Sequence, residues 1–331
     1  MIITITHENE GRRLDKFLFG YLNNAPHSFV YKLLRKKRIK LNGSRAYGNE
    51  LLREGDELRL FLSKETIASC RKARLFEPAT PLTDIIYEDE HLLVVNKPAG
   101  LPSQGGMDSS DHLLARVQYY LQESGAYDPQ ADFTPALCNR LDVNTSGLVI
   151  CGKTLHALQA INALFAGRGM DKEYLTVVHG TVGREGESAT LEGVYEKDSA
   201  SNIARISPRP AGPHETAAIT SYTVSAISHS RKYSLLSVNP ITGRSHQIRA
   251  HLASIGHPIV GDVKYRGKPV KAAFSPYPQR TLLHCRHLAI IGATNMNLLT
   301  GVAWEATLPE DFHYVLERYF PNYKRISTLK D

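Results

Sequence analysis

Only four cysteines, Cys70, Cys138, Cys151 and Cys285, are spread over the 331 residues. They are too few and too scattered for a disulfide framework or a zinc ribbon, and a reducing cytoplasm is the expected location. No apolar run approaches the ~18 residues that a membrane helix needs; the best local stretch is Leu92-Leu93-Val94-Val95, and no membrane partner is expected. The opening stretch MIITITHENEGRR lacks a basic leader, a long apolar segment and a small-residue cleavage site, so no signal peptide is expected. No glycine-rich loop runs into Lys-Ser or Lys-Thr, and no Gly-x-Gly-x-x-Gly follows a strand, which removes the nucleotide and dinucleotide readings. His246, His251 and His257 follow one another at spacings of five and six residues, which do not place two ligands on one helical face. Neither a metal nor a cofactor is expected. Fixed-period repeats and low-complexity tracts are absent as well.

What is present is enough for a real core. The chain is 42% hydrophobic and 22% charged, and its length favours two domains. Its net charge is +7, and the distribution of that charge is uneven. Residues 1–80 hold 16 Lys/Arg against 9 Asp/Glu, whereas the remainder is balanced. Such asymmetry fits a small polyanion-binding module joined to a neutral one, or simply a solvated basic face. Leu14, Phe17, Leu18 and Leu22 are spaced as a helix. A second helix is expected through Phe29–Lys37, capped by Ser28 and burying Val30, Leu33 and Leu34. A strand over Arg38–Leu41, an Asn42-Gly43 turn and a last strand ending at Leu60 follow. This order over residues 11–62 resembles the small RNA-binding domain named after ribosomal protein S-four. The resemblance implies that Arg12, Arg13, Lys32, Arg35, Lys36, Lys37, Arg38 and Lys40 contact RNA phosphates. Such attraction is largely sequence-independent and salt-sensitive. The expected division is residues 1–65 as this module, 66–82 as a linker and 83–331 as a second domain.

Beyond residue 84 the texture changes. Leu92–Lys97, Leu148–Cys151 and Tyr174–Val178 read as buried strands, and Thr216–Ile227 with Tyr233–Val238 as an antiparallel pair. Helices are expected at Asp111–Glu123, Leu155–Ala166 and Ser245–Ile255. Long strand runs with interspersed helices argue for an α+β fold with a mixed, mainly antiparallel sheet. In Asn139-Arg140-Leu141-Asp142-Val143-Asn144-Thr145-Ser146-Gly147-Leu148, an acidic residue precedes a polar turn that feeds an apolar strand. On its own, Asp142 would be expected to bond its own turn backbone.

Five segments resemble, in order, the signatures of the RluA family of pseudouridine synthases. They are Asp89–Leu101, Arg140–Leu148, Lys172–Gly180, Thr242–Asp262 and Arg280–Cys285, spanning most of residues 84–310. Asn139 stands where the family commonly has histidine. The resemblance implies isomerisation of uridine to pseudouridine in RNA, and the N-terminal module points to large-subunit ribosomal RNA. Transfer RNA as substrate, or a catalytically silent RNA-binding assembly protein, are the alternatives. A metal-dependent nuclease built on the three histidines is a third, unrelated reading. By that resemblance Asp142 is the essential carboxylate, Arg249 the cation that offsets its burial and Tyr174 a ring against the uracil. Arg140 would fill the place of the flipped nucleotide, and Leu148 and Leu283 would pack the pocket wall. RNA is the expected partner, and the chain is expected to act as a monomer.

Overall fold

The computed structural model describes residues 1–77, 79–105, 111–198, 201–265, 280–292 and 301–323. Its first part runs β1 (Ile2–Thr4), α1 (Leu14–Tyr21), α2 (His27–Arg35), β2 (Ile39–Leu41), β3 (Ser44–Arg45), β4 (Glu57–Leu60) and α3 (Lys64–Cys70). The strands form a small antiparallel sheet in the order β1-β4-β2-β3. The apolar stripes of α1 (Leu14, Phe17, Leu18) and α2 (Val30, Leu33, Leu34) share one cluster with Ile39, Leu58 and Leu60 from the sheet. That leaves the basic flank of α2 in water. Asn42 and Gly43 both take positive φ, the geometry of a tight hairpin turn whose twist matches its strands.

The start of α2 departs from expectation. Pro26, not Ser28, stands at the N-cap; its carbonyl accepts from the amides of Phe29 and Val30, and no side chain caps the helix. The fixed proline φ turns the chain into the helix earlier, so Ser28 lies inside the first turn. Part of the segment expected to be linker is helical: α3 buries Ile67 and Cys70 against the N-terminal cluster.

The second part continues with β5 (Ile85–Glu88), β6 (Leu92–Lys97), α4 (Leu113–Glu123), β7 (Ala136–Leu137), β8 (Ser146–Gly152), α5 (Leu155–Ala166) and β9 (Met170–His179). It closes with β10 (Ser188–Asp198), β11 (Ile203–Ser207), β12 (Ala217–Ile227), β13 (Tyr233–Pro240), α6 (Gln247–Ser254), β14 (Leu283–Ile290), β15 (Ala303–Glu305) and α7 (Glu310–Tyr319). One sheet takes the order β11-β10-β12-β13-β9-β14-β8-β6-β5, with β7 beside β8 and β15 beside β14. Every pairing among the described strands is antiparallel except β14 with β8, so the fold is α+β with a mixed, mainly antiparallel sheet. At that parallel seam Gly147 has φ +116 and lies so close to the Cys285 backbone that a Cβ would collide with it. Only glycine permits both the conformation and the approach.

Two hydrophobic clusters flank the seam. One gathers β6, β8, α4 and α5 around Leu93, Val149 and Ile161; the other gathers β9, β13, α6 and α7 around Val177, Leu236, Leu252 and Phe312. Tyr174 packs against both. The two parts of the chain also touch. Arg12 donates to the Asp132 carbonyl at 3.2 Å, and Arg74 bridges Gly20 O and Thr134 Oγ1.

Candidate active site

The site lies where the two clusters meet. Asp142 sits in the loop before β8, and its backbone carbonyl, not its carboxylate, closes the turn by accepting from Thr145 N at 3.0 Å. The carboxylate is thereby left for Arg249, whose Nη1 donates to Oδ2 at 2.8 Å. Arg249 projects from α6, and its Nε and Nη2 grip both oxygens of Asp262 at 2.6 and 3.0 Å. Burial penalises this guanidinium, and Asp262 and Asp142 more than offset the penalty, so its pKa is raised. A cation held so firmly on one side keeps a fixed charge beside Asp142.

Both neighbours of Asp142 are pinned to the loop after β6. Ser103 Oγ donates to Leu141 O at 2.7 Å and accepts from Leu141 N at 3.0 Å. On the other side the Val143 carbonyl accepts from Gly100 N at 2.8 Å and Lys97 Nζ at 3.2 Å. Lys97 is fully buried and also donates to Pro98 O and Leu101 O, so one ammonium gathers three carbonyls. Its burial, with Arg280 nearby, brings its pKa down to about 7 against the opposing pull of Asp142. Arg280 fastens the far end of the same loop: Nη1 reaches Asn144 O at 3.1 Å, while Nε and Nη2 clasp Asp311 of α7. A carboxylate on a loop this constrained is held in one geometry in advance.

Tyr174 lies in the middle of β9, directly opposite Cys285 of β14. Its hydroxyl donates to the Cys285 thiol; burial, this thiol and Asp142 all push its pKa well up, so the phenol stays protonated. Leu148 and Leu283 are both buried, on opposite sides of the seam, in the first and second clusters respectively. Arg140 is exposed, and its Nη1 lies 3.2 Å from Gln104 Oε1. Asn139 bonds the β8 backbone twice, to Leu148 O at 3.1 Å and from Ile150 N at 2.8 Å, leaving that strand edge satisfied. The three histidines do not converge. His246 Nδ1 faces Tyr265, His251 Nδ1 faces Thr220 Oγ1 at 2.8 Å, and His257 Nδ1 faces His179 O.

Away from this loop, Lys32, Arg35, Lys36, Lys37 and Arg38 are exposed and make no ion pair among the described residues. Lys40 lies half-buried over Phe61. Arg13 differs: it is clasped by Asp15 at 3.1 and 2.8 Å. Arg12 is turned toward Asp132 at the contact between the two parts. Sequence reading missed Arg45 and Arg59, which stand directly opposite Lys40 on either side of β2. Like charges opposed across strands are destabilising, and the alternation of Glu57–Leu60 with the Asn42-Gly43 hairpin was the signal that could have found them.

Known proteins share this architecture. Human RNA Pseudouridylate Synthase Domain Containing 4 superposes with a TM-score of 0.55 at 23% identity, covering 71% of this chain and 92% of that one. Human RNA Pseudouridylate Synthase Domain Containing 1 gives 0.52 at 22% identity, covering 73% and 97%. Both define the class of fold: a pseudouridine synthase catalytic sheet. The profile described as RNA pseudouridylate synthase matches residues 91–254. Ribosomal large subunit pseudouridine synthase C of Vibrio cholerae is 31% identical over 300 residues, covering 87% of this chain and 88% of that protein. The protein of the same name from Escherichia coli K12 is 31% identical over 272 residues, covering 80% and 79%. The chain belongs to the RluA family of RNA pseudouridine synthases.

Proposed function

We propose that this enzyme converts specific uridines of large-subunit ribosomal RNA to pseudouridine, with residues 1–65 capturing the RNA and residues 83–331 performing the isomerisation. The observation that carries the reading is the Asp142 carboxylate held by Arg249 on a pinned loop at the seam. The reaction breaks the bond between uracil N1 and ribose C1′ and joins C5 to the same carbon. C5 gives up a proton and N1 gains one, so nothing is exchanged with an outside molecule. Asp142 works at the ribose, where the glycosidic bond breaks. Arg249 sets a fixed positive charge beside it. Tyr174 offers a ring for the extruded uracil, Leu148 and Leu283 back the pocket, and exposed Arg140 reaches toward the strand from which the base has left. Extruding a base costs a few kcal/mol. Phosphate contacts from the basic surface would offset that cost.

That surface comprises Lys32, Arg35, Lys36, Lys37, Arg38 and Lys40, with Arg45 and Arg59 beside them. Opposed cations that form no ion pair among the described residues are best explained by a polyanion that neutralises them. Arg12 and Arg13 of the same module would contribute where RNA displaces their present partners. The relatives named for the large ribosomal subunit favour ribosomal over transfer RNA. Action as a monomer and, with such a target, a cytoplasmic location complete the reading.

Pseudouridine mapping by carbodiimide modification and primer extension tests this reading. Large-subunit ribosomal RNA and bulk transfer RNA, both unmodified, are each incubated with wild type or Asp142→Ala. New stops in the ribosomal RNA with wild type alone are expected. Stops confined to transfer RNA would move the target, and no stops in either would contradict the reading.

A further inference from the structure

Asp142 has a second neighbour, which approaches the same carboxylate oxygen as Arg249. His246 precedes α6 with φ 55 and ψ 19, a left-handed conformation that a side-chain-bearing residue rarely adopts. This is why α6 begins at Gln247 rather than at Ser245. Strain of this kind persists only where the surroundings over-determine it, and here they do. Tyr195 of β10 donates its hydroxyl to the Ser245 carbonyl at 3.1 Å. Tyr265 lies edge-on to the His246 ring, with its Oη 2.9 Å from Nδ1. The outer hairpin β10–β11 thus holds the corner at two points, because the same Tyr265 oxygen also accepts from the amide of Ala204 in β11 at 2.9 Å.

That last bond bears on the proton positions. The Ala204 amide can only donate, so it occupies one lone pair of the Tyr265 oxygen, and the hydroxyl hydrogen can then be given to His246 Nδ1. A neutral imidazole accepting at Nδ1 carries its own proton on Nε2. Nε2 lies 3.8 Å from Asp142 Oδ2, the oxygen that Arg249 also engages. At that length it is an electrostatic contact rather than a formed hydrogen bond. The charged groups around the ring are Asp142 from the loop, Arg249 from α6, Lys264 from the segment beyond Asp262 and Lys197 from β10. Burial first, then the three cations, disfavour the imidazolium against the single carboxylate, so the ring is neutral near pH 7.

We propose that His246 is a positioning residue for Asp142: its Nε2–H closes onto the carboxylate in the reacting complex, and Tyr265 locks the tautomer that makes this possible. The inference rests on Asp142 being the reacting carboxylate. Contacts of this kind commonly shorten when substrate is bound. Two donors of different character would then hold Asp142, a fixed cation and a neutral N–H, which sets the direction of the carboxylate as well as its charge.

The test compares wild type, His246→Ala, His246→Gln, Tyr265→Phe and Asp142→Ala in single-turnover pseudouridine formation on the mapped RNA between pH 6 and 8.5. Thermal melting and RNA affinity are measured on the same samples. His246→Ala is expected to slow the reaction on the order of tenfold, the worth of one hydrogen bond to a charged group, with RNA affinity unchanged. His246→Gln, whose amide reaches toward the Nε2 position, is expected to recover most of the rate. In Tyr265→Phe the ring is free to carry its proton on Nδ1 and turn a lone pair toward Asp142. Its rate should therefore fall as pH rises through the imidazole pKa, where wild type stays level. Equal rates for His246→Ala and His246→Gln, or a Tyr265→Phe profile parallel to wild type, in proteins with wild-type melting, would overturn the inference. Activity retained by Asp142→Ala would instead overturn the reading of Asp142, and this inference with it.

Discussion

On α2 and β2–β4 the positive side chains, most of them exposed, make no ion pair among the described residues, and Lys40 even faces Arg45 and Arg59 across the strands. Around Asp142 the opposite holds: Arg249 is shared between two carboxylates, and Arg280 is clasped by Asp311. The difference separates two tasks. Unpaired surface charge acts at long range, is screened by salt and cares little for sequence. Paired, desolvated charge acts over one bond length and holds a geometry. The proposed function assigns capture to the part with open charge and chemistry to the part with paired charge.

The sharpest way to break that division is to unpair the buried side. Arg249→Ala leaves Asp262, which is 1% exposed, without its bidentate partner. Removing one member of a buried pair costs roughly 3–5 kcal/mol, so urea unfolding should show a loss of this size together with loss of turnover. Arg249→Lys should regain only part of either, since an ammonium cannot serve Asp262 bidentately and Asp142 at once.

The open side should respond differently. Replacing Lys36, Lys37 and Arg38 together by Ala should weaken RNA binding without lowering the single-turnover rate at saturating RNA. The slope of log K against log salt should fall by about one for each phosphate that is no longer neutralised, as salt-titrated binding would show. Stability should change little, because none of the three is paired or buried.

Acid also separates the two parts. His251 and His284 are both buried in the second part, and burial brings each pKa down to about 4. The unfolded chain takes up these protons near the usual 6.5. Between pH 6.5 and about 4 it therefore binds more protons than the folded state, and stability falls as pH is lowered through that window. Each histidine contributes about 1.4 kcal/mol per pH unit there. Calorimetry at pH 7 and pH 5 should show the second part melting earlier in acid, with the N-terminal part, which holds neither residue, less affected.

Local signals made much of this legible in the sequence. Thr154 caps α5 and Gly167 ends it, so the helix runs over Leu155–Ala166 as expected. The alternation around Ser228–Arg231 correctly announced the β12–β13 hairpin. The pairing of Asp142 with Arg249 was a different matter, because 107 residues separate them. Only the resemblance linked the two; neither spacing nor periodicity can show that β8, β14 and β9 lie side by side. The same distance hid Lys97, whose three carbonyl partners depend on two loops meeting. Asp262 was visible as the end of a motif, yet its role emerged only once the turn at Gly256–Gly261 brought it back onto α6. His246 was read as helical because nothing local marks a left-handed residue there; Tyr195 and Tyr265 hold that corner from outside.

The most direct test of this division of labour is Asp142→Asn, measured for RNA affinity and single-turnover pseudouridine formation on the same large-subunit RNA. An amide keeps the size of the side chain and a carbonyl oxygen for Arg249, while removing the charge. Wild-type affinity with a turnover rate lowered by at least about a thousandfold is the predicted result. A rate close to wild type, or an affinity that collapses together with the rate, would contradict it.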